Sequence, residues 1–179
     1  MADIDRTDSG RVVLRLDEDE RMVLRSLAEQ IIELVAAAER PDEDPLAALV
    51  GIDVHAERPS DPAVARLLPD AYRDDEEAAS DFRRFTERAL RDGKVANARS
   101  VLASLEGSGE KLVLSDAEVH AWVGFLNDAR LALGTRLEIT EESHDDLVDL
   151  PEGDPRFGWM QLYSWLTYLQ DSVVELLLA

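Results

Sequence analysis

The sequence predicts a mainly α fold: a single-domain bundle of four long helices with a minor two-stranded β element, built around the last helix. Three observations predict it. Four long stretches repeat apolar residues at helical spacing. Helix-start signals, D-x-x-E at Asp17 and S-x-x-E at Ser115, stand before two of them. Only two short runs, RVVLRL and KLVL, have the β-branched, alternating character of strands.

The elements follow in chain order. Residues 1–10 carry Asp3, Asp5 and Asp8 and no apolar run, so they are expected to form a flexible N-terminal tail. Residues 11–179 are then the helical domain. Arg11 to Leu16 reads as the first strand. Asp17, with Glu20 three residues on, starts a helix to about Glu39. Its apolar face gathers Val23, Leu24, Leu27, Ile31, Leu34, Val35 and Ala38, with Arg21, Arg25, Glu29 and Glu33 opposite. Pro41, Pro45, Pro59, Pro62 and Pro69 forbid a long helix over the next stretch. Two short ones are expected there, Pro45 to Val50 and Pro62 to Leu68, each opening on proline.

Asp74 to Leu105 is a long helical pattern with acids at its start. Ala78, Phe82, Phe85 and Ala89 form an apolar stripe, while Val95, Ala98, Val101, Leu102 and Leu105 fall almost opposite it. That shift predicts either a break near Asp92-Gly93 or a helix that buries different faces against different neighbours. Lys111 to Leu114 reads as the second strand. Ser115 caps a helix to about Leu133, with Gly134 as its stop. Residues 138–154 hold eight acids and no Lys or Arg. The last helix starts near Pro155 or Arg156 and is apolar around most of its circumference, which predicts a central buried helix or a homodimer seam.

Composition narrows the chemistry. The 179 residues contain no cysteine, which excludes disulfides, thiolate metal sites and thiol redox switching within this chain. With 19 basic and 39 acidic residues the formal net charge is −20, so direct nucleic-acid binding by the isolated chain is not expected. No stretch approaches the roughly 18 apolar residues of a membrane span, and nothing at the start resembles a leader, so a cytoplasmic protein without membrane association is expected. Phosphate-binding, nucleophile-elbow and zinc-protease motifs are absent. His55, His120 and His144 form no ligand pair, and the acids around His144 lack the order of a calcium loop. No catalytic residue, metal site or cofactor is therefore expected.

Two groups of residues stand out as candidates. Arg130 falls within the apolar face made by Val119, Trp122, Val123, Leu126 and Leu133, and Gln170 within that of the last helix. Together with Asn127 they predict a buried polar network that fixes helix register or, alternatively, the floor of a ligand pocket. Arg83, Arg84, Arg88 and Arg91 lie opposite the Ala78/Phe82/Phe85 stripe. They read as a salt-bridged solvent face or as a docking strip for an acidic partner.

The segments LRSLAEQ (Leu24 to Gln30), RLLPDAYRDDEEAASDFRRFTE (Arg66 to Glu87), AWVGFLNDARLALGTRLEIT (Ala121 to Thr140) and LYSWLTYLQDSVVELL (Leu162 to Leu177) carry a resemblance. They resemble an actinobacterial family of oxidative-stress transcriptional regulators (AosR type), first catalogued as of unknown function. The resemblance implies a non-enzymatic cytoplasmic regulator that acts with a protein partner, an RNA polymerase sigma factor, on stress and cysteine-biosynthesis genes. The family's switch uses closely spaced cysteines, which this chain lacks, so that mechanism does not transfer. The alternative from the residues themselves is a helical small-molecule-binding or enzymatic domain with a pocket at Arg130.

Overall fold

The computed structural model describes residues 2–7, 10–36, 57–72, 74–107, 109–140 and 150–178. The expected short helix Pro45 to Val50, as well as His55 and His144, lie outside the described residues. The described elements run β1 (Asp3–Arg6), β2 (Val12–Arg15), α1 (Glu18–Val35), α2 (Pro62–Leu67), α3 (Glu76–Leu105), β3 (Lys111–Leu114), α4 (Asp116–Arg136) and α5 (Phe157–Leu178). The fold is mainly helical, as expected, with four long helices and one short one among the described residues. None of these helices is long and apolar enough to cross a membrane.

The sheet has three strands rather than two, in the order β1-β2-β3, antiparallel throughout. β2 is the centre: Val12, Val13 and Leu14 are all buried, and Val13 faces Asp5 on one side and Val113 on the other. β3 alternates, with Leu112 and Leu114 inward. The extra strand corrects the expected tail at residues 3–6. Asp3, Asp5 and Arg6 are exposed and only Ile4 is partly buried, so the strand is held by backbone pairing that leaves almost no apolar pattern to read. Gly10, at φ 83°, supplies the left-handed residue of the β1-β2 turn, its N–H donating to the Thr7 carbonyl.

The two capping boxes form as their sequences require. Asp17 accepts from the Glu20 amide while the Glu20 side chain accepts from the Asp17 amide, and Ser115 and Glu118 do the same for α4. Hydrogen bonds from the Ser115 hydroxyl and amide hold the Glu118 carboxyl below its ordinary range. α2 opens with Pro62 behind Asp61, whose carboxylate accepts from the Ala63 and Val64 amides at 2.7 and 3.2 Å.

α1 and α3 pack against each other, and each supplies an arginine to the other's C-terminal end. Arg21 donates to the carbonyls of Leu105, Gly107 and Gly109, and Arg91 donates to the Val35 carbonyl at 2.8 Å. Neither helix has a basic residue in its own last turn, so the partner's guanidinium satisfies the orphan carbonyls and the dipole. This buries Arg21, which the apolar pattern had placed on the outside, and leaves Val23 39% exposed.

α3 is one helix of 30 residues with no break at Asp92-Gly93. It also does not bury two different faces. Its buried residues Ala79, Arg83, Glu87, Ala98, Val101 and Leu105 fall within an arc of about 100° at the usual helical angle per residue. The first half of that inward face is charged and the second half apolar. Phe82 and Phe85 of the expected inner stripe are 45% and 59% exposed.

The centre of the molecule is α4, not the last helix. Between Val119 and Thr135 only His120 is exposed, and Trp122, Phe125 and Leu126 are fully buried. α4 packs against α1, α2, α3, α5 and β3. α5 packs chiefly on α4 and β1 through Met160, Leu166, Leu169 and Val173, and leaves Trp159 and Tyr168 half in water. α4 also runs through Gly134 instead of stopping there: a Cβ at that glycine would lie 3.3 Å from the Tyr163 ring, so the residue admits α5 rather than ending α4. The left-handed residue after the helix is Glu138, at φ 55°.

Candidate functional site

The predicted arginine strip on α3 is not an outward array. Arg83 is 6% exposed. It donates to Glu87 at 2.7 Å and pairs with Asp70, which precedes α3. Glu87 in turn pairs with Arg91 at 2.7 Å. Burial opposes the charged guanidinium of Arg83. The hydrogen bonds and charges of Glu87 and Asp70 outweigh it and hold the group above its ordinary value. Of the other two strip residues, Arg84 makes a loose 3.4 Å contact with Asp81, and Arg88 is half-buried with interactions of its own. Two of the four arginines thus belong to a buried network that locks α3 onto the Asp70 segment and the end of α1.

With the charges turned inward, the aromatic residues turn outward. Tyr72 is 51% exposed and meets Phe82 edge to face, with ring centroids 6.1 Å apart. Phe85 continues this ridge one helical turn on. Asp74, Asp75, Glu76 and Glu77, at the start of α3, and Asp81, next to Phe82 in sequence, are exposed as well. Phe82 and Phe85 are legible in the sequence as part of an apolar stripe, but the same pattern predicts them inside, and Tyr72 belongs to no pattern.

The second group is brought together in part. Arg130 donates from Nη1 to the Gln170 Oε1 at 2.6 Å, linking α4 to α5. Its guanidinium carbon sits 5.5 Å from the centre of the Tyr163 ring. Asn127 does not join this pair. It borders the same space as Arg130 without bonding to it. That space is an open cleft of about 860 Å³ between α2, the residues flanking α2, and the C-terminal half of α4. Arg58, Arg66 and Arg130 line it, with Asp70 and Glu138. Arg58 and Arg66 were not singled out by periodicity, because both sit on exposed positions with no pattern to break.

One further charged pair was not anticipated. Asp128 is 2% exposed on α4 and accepts from Lys94 of α3 at 2.7 Å. Burial pushes its carboxyl up, and Lys94 and Asn127 offset this only in part. A raised folded-state value means that more protons are bound folded than unfolded. The contribution of Asp128 to stability is therefore fully present below the ordinary carboxylate range and is lost as pH rises through the folded value. The urea midpoint of the wild type minus that of Asp128→Asn should fall as pH rises upward from that range. A flat difference would show that Lys94 compensates the buried carboxylate completely.

The family model described as Domain of unknown function (DUF2017) matches residues 1–177. The chain is 33% identical to "Oxidative stress regulator AosR" of Mycobacterium tuberculosis (strain ATCC 25618 / H37Rv) over 98% of its own length and 86% of the relative's. It is 36% identical to "Putative oxidative stress regulator AosR" of Mycobacterium leprae (strain TN), over 76% of its own length and 68% of the relative's. No solved structure matches. A family match over nearly the whole chain, together with relatives aligned along most of their length, places it: the protein belongs to the DUF2017 family, alongside the mycobacterial AosR proteins.

Proposed function

We propose that the protein is a non-enzymatic cytoplasmic regulator that acts by contact with a protein partner, an RNA polymerase sigma factor, and not by thiol chemistry. The names of its relatives support a regulatory role in oxidative stress. The absence of cysteine removes thiol redox chemistry from this chain. The observation that carries the partner-contact reading is the exposed Tyr72/Phe82/Phe85 ridge, next to the exposed acids that begin α3. Exposed aromatics in a cluster are the residues that anchor interfaces. The neighbouring carboxylates, in a chain of net charge −20, select a partner with a basic rim rather than the acidic one expected from the arginines.

The test is calorimetric binding of the purified chain to the purified sigma factors of its own cell. Wild type binds one of them. The Phe82→Ser/Phe85→Ser variant binds it roughly 10- to 100-fold more weakly, while its unfolding free energy changes by less than about 1 kcal/mol. Failure of every sigma factor to bind, or equal binding by the double variant, would contradict the reading.

A further inference from the structure

We propose that the cleft at Arg130 is a binding site for a small organic anion, a molecule whose phosphate or carboxylate sits against Arg130 and Arg66. This is a second site, separate from the aromatic ridge on α3. The cleft carries an imbalance of charge. The lining holds three guanidiniums, those of Arg58, Arg66 and Arg130, against the carboxylates of Asp70 and Glu138. Asp70 is already committed to buried Arg83, with Arg58 a looser 3.5 Å away. In a chain carrying −20 overall, such a local excess of positive charge runs against the composition.

Arg130 is the decisive residue. It is half-buried on the central helix, yet no carboxylate among the described residues lies within ion-pair distance of it. Its contacts are a neutral amide oxygen, that of Gln170, and the face of Tyr163. Its Nε is buried without a hydrogen-bond partner. Taking a guanidinium out of water without a counter-charge costs free energy, and an arriving anion offsets that cost. The Gln170 and Tyr163 contacts fix the plane of the guanidinium in advance, which suits the two-pronged geometry of phosphate or carboxylate. Arg66, exposed on α2, forms no ion pair among the described residues and lines the same cleft.

The rest of the lining describes the rest of the ligand. Pro62, Ala65, Leu131 and Ile139 offer an apolar wall beside the arginines. The volume, about 860 Å³, is that of a small-molecule site rather than of an ion site. The ligand is accordingly an anionic head on an apolar body.

The test uses thermal unfolding of the full chain with inorganic phosphate, phenyl phosphate and benzoate, each against potassium chloride at matched ionic strength. Phenyl phosphate or benzoate is expected to raise the wild-type Tm by about 5–10 °C above the chloride control at a hundredfold excess over Kd. Inorganic phosphate, which lacks the apolar body, gives a smaller rise. Which of the two organic anions acts at lower concentration identifies the head group. Arg130→Gln abolishes the rise. Arg66→Gln, at an exposed position where folding is not at stake, weakens it at least about tenfold. A rise no larger than that in chloride, or one equal in wild type and both variants, means simple screening of the acidic surface and overturns the proposal. Neither result bears on sigma-factor binding through the α3 ridge, so the two readings fail separately.

Discussion

Replacing Arg83 with alanine is expected to lower the unfolding free energy by about 3–5 kcal/mol, the loss typical of breaking a buried ion pair from one side. The side chain is 6% exposed, and its removal leaves Glu87, 8% exposed, with Arg91 as its remaining partner. Asp70 loses the same guanidinium. The loss comes from carboxylates stranded in a poorly hydrated place rather than from the worth of the pair itself. For that reason Arg83→Met/Glu87→Leu, which removes the stranded Glu87 carboxylate but leaves Asp70 and Arg91 without those partners, should recover part of it. Urea unfolding at neutral pH measures both variants. A loss below about 1 kcal/mol for the single variant would instead mark a solvent-screened surface pair.

Trp122→Ala should cost about 3–5 kcal/mol and lower Tm by roughly 6–20 °C. The indole is fully buried on α4, meets Phe125 edge to face at 6.4 Å, and donates its N–H to the Ser104 hydroxyl of α3 at 3.0 Å. Its loss opens a cavity where α3 and α4 meet and leaves that hydroxyl without its donor. Trp159→Ala on α5 is the control, because that ring is 54% exposed. It should change stability by less than about 1 kcal/mol. Equal losses from the two tryptophans would return the centre of the fold to α5, contrary to the packing described above.

The contrast between those helices explains what the sequence made legible. Local chemistry was readable wherever a residue acts on its own backbone: Asp17 with Glu20, Ser115 with Glu118, and Pro62 behind Asp61 all cap the helices they precede. β2 and β3 were readable from their buried Val and Leu residues. The helix faces were not readable where apolar pattern and burial part company. On α3, Arg83 and Glu87 occupy inward positions because each finds a counter-charge there, while Phe82 and Phe85 stand outside. A stripe drawn through apolar residues alone therefore lands on the wrong side. Ala79, Ala98, Val101 and Leu105, taken together with the i,i+4 pairs Arg83–Glu87 and Glu87–Arg91, would have given one continuous inner face.

The last helix misled in the same way. Its Trp159, Tyr168 and Leu177 count as core in any tally of apolar residues, but they are 54%, 41% and 40% exposed. α4 carries Arg130, Asp128 and Asn127 and looked less apolar, yet it is the helix surrounded on nearly every side. Its polar residues are accommodated by partners distant in sequence, Lys94 for Asp128 and Gln170 for Arg130, and local periodicity has no access to those. The Arg130–Gln170 link was nonetheless legible, because a lone polar residue in each of two apolar faces asks for a partner. The expected place of Asn127 in that network is not borne out: Asn127 shares the cleft with Arg130 but makes no bond to it.

α3 turns its charged stripe inward and its aromatic stripe outward, and the absence of native cysteine makes that orientation directly testable. Single cysteines at Ala89, on the aromatic side, and at Ala79, 6% exposed on the charged side, differ in little but orientation. Reaction with a thiol-specific disulfide reagent under native conditions should be nearly as fast for Ala89→Cys as in the denatured chain. For Ala79→Cys it should be slower by roughly a hundredfold or more, limited by local opening. The opposite order, with Ala79→Cys reactive and Ala89→Cys protected, would contradict the account.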